Sequence, residues 1–303
     1  MATYEMTESG KAGALLSTTW TVLRLVRIEY CLLGAAAVLA GAFVSSGALP
    51  NVTVVLSALA VFFVAVGCYA FDDYFDRACD AANEREDRPL VRGTPTPRFA
   101  ASVGAGAFLL SAVAAITAGL STTIIIASGA AVAMVYNRWL QNVFPLKNIL
   151  IAGAFPTPLV IGAIAAGSLG PILLYCAGLA YIVGLGFEVM IDIPDVAGDR
   201  AEGVATVATR YDSATAARVS ALFYITAAAL AIGPFFLNID IRFQWNALFL
   251  VIAGAAALTH AIIGRGLLRD HNPARVLRVK TVSFVSLNAL ILAYVITILL
   301  HSL

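Results

Sequence analysis

The sequence predicts an all-α polytopic membrane protein with nine transmembrane helices, on three observations. Hydrophobic residues make up 60% of the 303-residue chain and charged residues 12%, and the mean hydropathy is +0.89, which excludes a soluble globular domain. Nine apolar runs are long enough to be interpreted as membrane spans. Of the 19 Lys and Arg residues, all except Arg242 lie in the N-terminal segment or in loops that follow even-numbered runs.

The apolar runs place the nine spans at residues 28–44, 52–69, 99–120, 122–135, 149–166, 171–190, 219–237, 245–263 and 282–300. The fourth run follows the third after a single residue, and Pro156 and Pro158 interrupt the fifth, so these two spans are expected to be the least regular. The distribution of Lys and Arg predicts a cytoplasmic N-terminus and a C-terminus outside. We expect one membrane-embedded domain over residues 1–303, with residues 1–20 as a mobile cytoplasmic tail.

Two acidic clusters share the spacing D-x-x-D-x-x-x-D: Asp73, Asp76 and Asp80 after the second span, and Asp192, Asp195 and Asp199 after the sixth. Spacings of three and four place the carboxylates of each cluster on one face of a helix, where their oxygens suit a hard divalent cation. Because six converging carboxylates repel one another, a bound Mg²⁺ or Mn²⁺ is the simplest source of compensating charge. Both clusters follow even-numbered spans, so they are expected to face one cavity from the cytoplasmic side.

The loop at residues 72–98 begins with acidic residues and ends with arginines. That mixture suits a polyanion whose phosphate oxygens are bridged by metal and clamped by guanidinium groups. The excess of positive charge in cytoplasmic loops explains each basic residue equally well when it is taken singly. The four cysteines show no C-x-x-C spacing and lie in or beside spans, which favours buried thiols, and the net charge of +1 gives no indication of nucleic-acid binding.

At the acidic clusters the chain resembles the UbiA-type intramembrane prenyltransferases. Their first motif, N-D-x-x-D-x-x-x-D, corresponds to residues 72–80 and is followed here by D-R-P-L at 87–90, and their second, D-x-x-x-D, corresponds to 195–199. The resemblance covers nearly the whole chain, including the number of spans. It implies nine helices around a central cavity that opens sideways to the bilayer, with motifs that bind Mg²⁺ and an isoprenoid diphosphate.

The resemblance also implies a reaction and its residues. Metal and basic residues would stabilise the leaving diphosphate while an allylic cation forms and is captured by a lipophilic acceptor. The catalytic and metal-binding residues implied are Asp73, Asp76, Asp80, Asp192, Asp195 and Asp199. Asp72 is an auxiliary residue, and the expected diphosphate contacts are Arg88, Arg138 and Lys147.

Three departures from the family pattern lie in or beside the motifs. Asp72 replaces the usual asparagine and adds a negative charge. The family's R-P-I-P-S-G is R-P-L-V-R-G at residues 88–93, and T-L-P after the second motif is replaced by the sequence at 205–210. These changes favour an unusual acceptor or a divergent reaction.

Segments 24–34, 73–77 and 192–200 most resemble archaeal members that transfer a geranylgeranyl chain from its diphosphate to geranylgeranylglyceryl phosphate in ether-lipid synthesis. Relatives with the same motifs prenylate quinone-type aromatic, carotenoid or tetrapyrrole acceptors, and some cyclise the isoprenoid without an acceptor. These alternatives stay open at the level of sequence.

Two other classes of membrane protein also place carboxylates at the bilayer. A cation transporter would line a path through the membrane with them, whereas here they crowd one end of the spans. A CDP-dependent alcohol phosphotransferase would carry D-G-x-x-A-R, which is absent. A soluble isoprenoid synthase shares D-D-x-x-D but not the nine apolar spans.

Several polar residues lie within or at the ends of the spans. Glu188, one turn before the second cluster, is a candidate base or metal ligand, or else the partner of a nearby cation. His260 and Asn288 are expected to form hydrogen bonds between helices. Tyr136 is expected to anchor the end of its span at the membrane interface.

Overall fold

The computed structural model describes residues 19–82, 85, 88–136, 140 and 143–301, and within these ranges the regular elements are helices. In chain order they are α1 Ile28–Ser46, α2 Val52–Phe75, α3 Arg77–Ala82, α4 Pro97–Ala118, α5 Leu120–Val135, α6 Leu146–Gly153, α7 Thr157–Ala165, α8 Pro171–Ile191, α9 Val196–Glu202, α10 Val207–Arg210, α11 Ser213–Ala231, α12 Gly233–Phe236, α13 Ala247–Arg269 and α14 Pro273–His301.

Eight helical segments in the described part of the chain are long and apolar enough to cross a membrane. Two of them are interrupted helices: α6 with α7 forms Leu146–Ala165, and α11 with α12 forms Ser213–Phe236. The predicted fourth span is α5, whose 16 residues fall short of the roughly 20 needed for a full crossing. The predicted class, an all-α polytopic membrane protein, is confirmed, and the difference from nine full spans lies in this one short helix.

Helix ends follow the local sequence. Asn51, Thr96 and Asn246 each precede a spanning helix, and each side chain accepts a hydrogen bond from the backbone N–H three residues later. The prolines of the fifth span separate α6 from α7, as predicted, because proline has no N–H to donate to the helix. The span is therefore two short helices docked on different neighbours, with α6 on α8 and α7 on α1.

Small residues let the helices approach closely. A methyl group added at Gly41 of α1 would overlap the backbone of Leu159, and one added at Gly162 of α7 would overlap the backbone of Val38. Helix α2 packs along α4, where Gly104 lies against the ring of Phe71. The two helices and α5 line an open apolar pocket of about 450 Å³.

Helix α8 is the most deeply buried span, with 61% of its apolar stretch inside the bundle, and it contacts α6, α11 and α14. Hydrogen bonds between helices are made by hydroxyl groups, such as that between Tyr224 and Ser283 at 2.6 Å. The prediction for Asn288 was wrong, because its side chain donates to the carbonyl of Phe284 in its own helix. Neither ring nitrogen of His260 has a hydrogen-bond partner among the described residues.

Candidate active site

Both acidic clusters lie at the same end of the helical bundle, here called the acidic end. Helix α3, which carries Asp80, contacts α9, which carries Asp199. Tyr136, at the end of α5, is close enough to both clusters for the charges of Asp76 and Asp192 to act on it. Two segments that are far apart in sequence therefore converge, as the spacing of the spans predicted.

The first cluster follows a nearly continuous helix. Asp73 lies in the last turn of α2, Asp76 is the residue that ends this helix, and Asp80 belongs to α3. The helical hydrogen-bond pattern continues across the junction, since Asp76 N–H donates to Asp72 O at 2.9 Å and Asp80 N–H donates to Asp76 O at 2.8 Å. The predicted arrangement on one helix therefore holds apart from the break at Asp76.

The second cluster spans a turn between two helices. Asp192 ends α8, Asp195 is the residue before α9, and Asp199 lies in the first turn of α9. Pro194 lies between the helices and cannot donate a hydrogen bond to continue the first of them. The prediction of one continuous helix was wrong for this cluster.

The two clusters share a pattern of burial in spite of this difference. The first aspartate of each, Asp73 and Asp192, is 2% exposed. The middle aspartates, Asp76 and Asp195, are exposed. Each cluster therefore has a buried first carboxylate and an exposed middle one that a ligand can reach directly, while the third is buried in Asp80 and half-buried in Asp199.

Two arginines hold the buried carboxylate of the first cluster. Oδ1 of Asp73 accepts hydrogen bonds from Arg27 Nη2 at 2.8 Å and from Arg88 Nη1 at 3.1 Å. Its other oxygen, Oδ2, is buried without a hydrogen-bond partner among the described residues. Arg27 directly precedes α1 and has a φ of 47°, a left-handed conformation that costs energy for a residue other than glycine.

A lysine and an asparagine hold the buried carboxylate of the second cluster. Lys147 Nζ donates to Oδ1 of Asp192 at 2.7 Å, and Asn148 Nδ2 donates to Oδ2 at 2.8 Å. Lys147 also lies 3.8 Å from a carboxylate oxygen of Asp199. Both donors belong to the first turn of α6, so the docking of α6 on α8 sets this geometry.

Burial and charge act in opposite directions at the acidic end. Burial raises the pKa of Asp80, although Arg88 opposes the shift, and burial raises the pKa of Asp192, where Lys147 opposes it. Burial acts to lower the pKa of Arg27, but the nearby Asp73, Asp72 and Tyr69 together outweigh it and the pKa is raised. The basic group therefore stays charged, while both carboxyl groups would gain from more positive charge nearby.

The oxygens of the site are of the kind that hold a hard divalent cation. The carboxylate Oδ2 of Asp73 and the amide Oδ1 of Asn148 are both buried without hydrogen-bond partners among the described residues. Within those residues no three acidic, His or Cys side chains converge closely enough to form a preassembled metal site. The ion pairs of Arg27, Arg88 and Lys147 already offset part of the carboxylate repulsion, which the sequence argument assigned to a metal alone.

The expected diphosphate contacts are placed unequally. Arg88 and Lys147 lie at the two clusters, whereas Arg138 lies outside the described residues. Glu188 is 4% exposed, and no lysine or arginine nitrogen of the described chain lies within 4.0 Å of its carboxylate. Sequence reasoning missed Asn148, although it directly follows Lys147 at the beginning of a span.

Residues 34–297 match the model of the UbiA prenyltransferase family. The digeranylgeranylglyceryl phosphate synthase of Halobacterium salinarum (strain R1) is 31% identical over 259 residues, which cover 82% of this chain and 91% of the relative.

Two solved structures share the fold. A UbiA homolog from Aeropyrum pernix K1 has a TM-score of 0.72 at 21% identity, covering 91% of this chain and 99% of that one. A UbiA homolog from Archaeoglobus fulgidus bound to GPP and Mg²⁺ has a TM-score of 0.66 at 16% identity, with the same coverage.

Proposed function

The chain belongs to the UbiA prenyltransferase family, and from this premise we propose that it transfers a geranylgeranyl chain to geranylgeranylglyceryl phosphate. The protein is an integral membrane prenyltransferase. The donor would be geranylgeranyl diphosphate and the product an ether lipid. The name of the Halobacterium relative supports this choice of acceptor over quinone-type or carotenoid acceptors and over cyclisation.

The observation that carries the proposal is the convergence of the two acidic clusters with their basic partners at one end of the bundle. Carboxylates and cations lie side by side there: Asp73 with Arg27 and Arg88, and Asp192 with Lys147. A diphosphate needs both kinds of group, because metal links it to carboxylates while basic side chains contact its free oxygens. Arg88 and Lys147 are our candidates for those contacts, and Arg138 is a further one.

We propose Mg²⁺ as the cofactor, with Mn²⁺ as an alternative. The Mg²⁺ in the Archaeoglobus homolog and the unpartnered oxygen of Asp73 support this proposal. Its ligands, direct or through water, would be Asp73, Asp76, Asp80, Asp192, Asp195 and Asp199, with Asp72 as an auxiliary residue. When bound, the ion supplies positive charge that offsets part of the charge of the diphosphate.

The residues of the chain would act as follows. The bond between C1 of the geranylgeranyl chain and the diphosphate oxygen breaks, and both electrons stay with the diphosphate. Arg88 and Lys147 stabilise the charge that develops on this leaving group. The acceptor hydroxyl then forms an ether bond to C1 and gives its proton to the departing diphosphate, while the apolar surroundings exclude water that would otherwise capture the cation.

The distribution of basic residues supports an orientation and a domain organisation. We propose that the acidic end faces the cytoplasm, with the N-terminus on the same side and the C-terminus outside. We also propose a single membrane-embedded domain over residues 1–303, which the family match over 34–297 supports.

A turnover assay tests the proposed function. Purified protein in detergent would be given Mg²⁺ and radiolabelled geranylgeranyl diphosphate, with and without geranylgeranylglyceryl phosphate, and the products resolved by mass. We expect a product heavier than the acceptor by one geranylgeranyl unit, formed only with acceptor and abolished reversibly by a chelator. Diphosphate release without acceptor would instead indicate a cyclase, and no release in either reaction would contradict the choice of donor.

A further inference from the structure

Lys280 is a basic residue of the acidic end that the proposed reaction does not yet use. It lies half-buried on α14, one helical turn before Phe284. The ring of Phe284 lies 4.9 Å from that of Tyr30 on α1 and 6.4 Å from that of Phe187 on α8. Because residues four positions apart share a helix face, Lys280 faces the junction between the beginning of α1 and the end of α8.

Charges of both signs lie around Lys280, and the positive ones act on it most strongly. The arginines close enough to act on it are Arg27, Arg85 and Arg88, and the carboxylates are Asp195 and Glu188. Among the residues that the structure describes, no carboxylate oxygen lies within 4.0 Å of Lys280 Nζ, whereas Arg27, Arg88 and Lys147 each form an ion pair.

A half-buried cation near other cations, with no carboxylate oxygen of the described residues within 4.0 Å, is unfavourable unless an anion joins it. The anions of the proposed reaction are phosphoryl groups, and lysine is a compact charge that can donate to several phosphate oxygens. We propose that Lys280 binds a phosphoryl group of a substrate, as a third source of positive charge beside the arginines of the first cluster and Lys147 of the second. This inference rests on the proposed function.

Either substrate could supply that phosphoryl group. The donor carries a diphosphate and the acceptor carries a phosphate, and both would enter the acidic end. Inorganic pyrophosphate and geranylgeranylglyceryl phosphate serve as separate probes of these two sources.

Arg278 provides the matched control. It lies two residues from Lys280 on the same helix, is exposed, and donates from Nε to the carbonyl of Ala274 at 3.3 Å within that helix. Residues two positions apart are rotated by about 200° about the helix axis, so Arg278 points away from the face that carries Lys280. Arg278→Met therefore removes a positive charge from α14 without removing one from the proposed phosphate site.

The experiment measures equilibrium binding of each probe to full-length protein in detergent with Mg²⁺, for the wild type, Lys280→Met, Lys280→Arg and Arg278→Met. We expect Lys280→Met to weaken one probe by about tenfold or more. Lys280→Arg should recover most of that loss, and Arg278→Met should bind like the wild type. Each variant's thermal unfolding in detergent is recorded beside its binding.

The probe that is weakened identifies the source. Loss of pyrophosphate binding assigns Lys280 to the donor, and loss of acceptor binding assigns it to the acceptor phosphate. Equal binding of both probes by Lys280→Met and the wild type would overturn the inference, as would failure of the wild type to bind either. Lys280-dependent binding of pyrophosphate by a protein that transfers no geranylgeranyl chain would contradict the proposed function and leave the phosphate site standing.

Discussion

The two acidic clusters have the same spacing, but their buried carboxylates have different hydrogen-bond partners. In the first, both arginines bond to one oxygen of Asp73, and its other oxygen has no hydrogen-bond partner in the described part of the chain. In the second, Lys147 and Asn148 occupy one oxygen each of Asp192. Identical sequence spacing has therefore produced one buried carboxylate with an oxygen that no described residue contacts by a hydrogen bond and another whose two oxygens both accept hydrogen bonds.

The two clusters are therefore expected to contact a metal ion in different ways. At the first cluster, Oδ2 of Asp73 has no hydrogen-bond partner among the described residues, which favours a direct bond from this oxygen to the metal ion. At the second cluster the exposed Asp195 is better placed for such a bond, while Asp192 fixes the position of Lys147.

The largest effect is expected where the clusters are alike, at their exposed middle aspartates. Asp76→Asn and Asp195→Asn should each lower turnover by at least about 10³-fold, because each removes a negative charge that would hold the metal and diphosphate. The measurement is the initial rate of geranylgeranyl transfer, with unfolding temperature as a check of folding. Asp270→Asn, at an exposed ion pair on another loop, is the control, and normal turnover in either cluster variant would refute the two-cluster model.

The second prediction concerns the different partners of the buried carboxylates. Lys147→Met leaves Asp192 without a close cation in the described chain and should lower the free energy of unfolding by about 3 kcal/mol. Arg27→Met should lower the free energy of unfolding by only about 1 kcal/mol, because Asp73 keeps its hydrogen bond from Arg88. Unfolding of the ligand-free protein in detergent measures both values. Equal losses would show that the remaining bond from Arg88 does not compensate Asp73 for the loss of Arg27.

The third prediction uses the raised pKa values of Asp80 and Asp192. A protonated carboxyl group must lose its proton to bind metal, so Mg²⁺ binding should weaken as the pH falls, beginning above the usual aspartate pKa of about 4. The dissociation constant should rise by up to about tenfold per pH unit for each proton displaced. Lys147→Met should raise the pKa of Asp192 further, so the weakening of Mg²⁺ binding should begin at a higher pH. If the pH dependence of Mg²⁺ binding is the same in this variant and the wild type, protonation of Asp192 does not limit metal binding.

Much of the fold could be predicted because the signals are local. Apolar length and the placement of Lys and Arg identify spans whatever their neighbours are, and the prolines of the fifth span predicted the interruption between α6 and α7. The same local rule should have separated Asp192 from Asp195, since Pro194 stands between them. There the proline interrupts the helix that the three-and-four spacing predicts.

The partners of the buried carboxylates could not be predicted in this way. Arg27 reaches Asp73 from 46 residues away, and Asn148 reaches Asp192 from 44 residues away, so both contacts depend on how the spans pack. The prediction for Asn288 was wrong for a related reason, because an amide inside a span can form its hydrogen bond within its own helix as well as with a neighbouring helix. Spacing along the chain identified the carboxylates, and only the packed helices show what neutralises them.

The interruption of the fifth span divides its packing between two short helices. Helix α7 is fixed to α1 by the close approach at Gly41 and Gly162, while α6 is fixed to α8 and carries Lys147. Pro156 lies between the two helices and Pro158 lies at the beginning of α7, and neither has a backbone N–H to donate. The place of Lys147 at the second cluster therefore depends on the docking of α6 on α8, while the close approach at Gly41 and Gly162 positions α7.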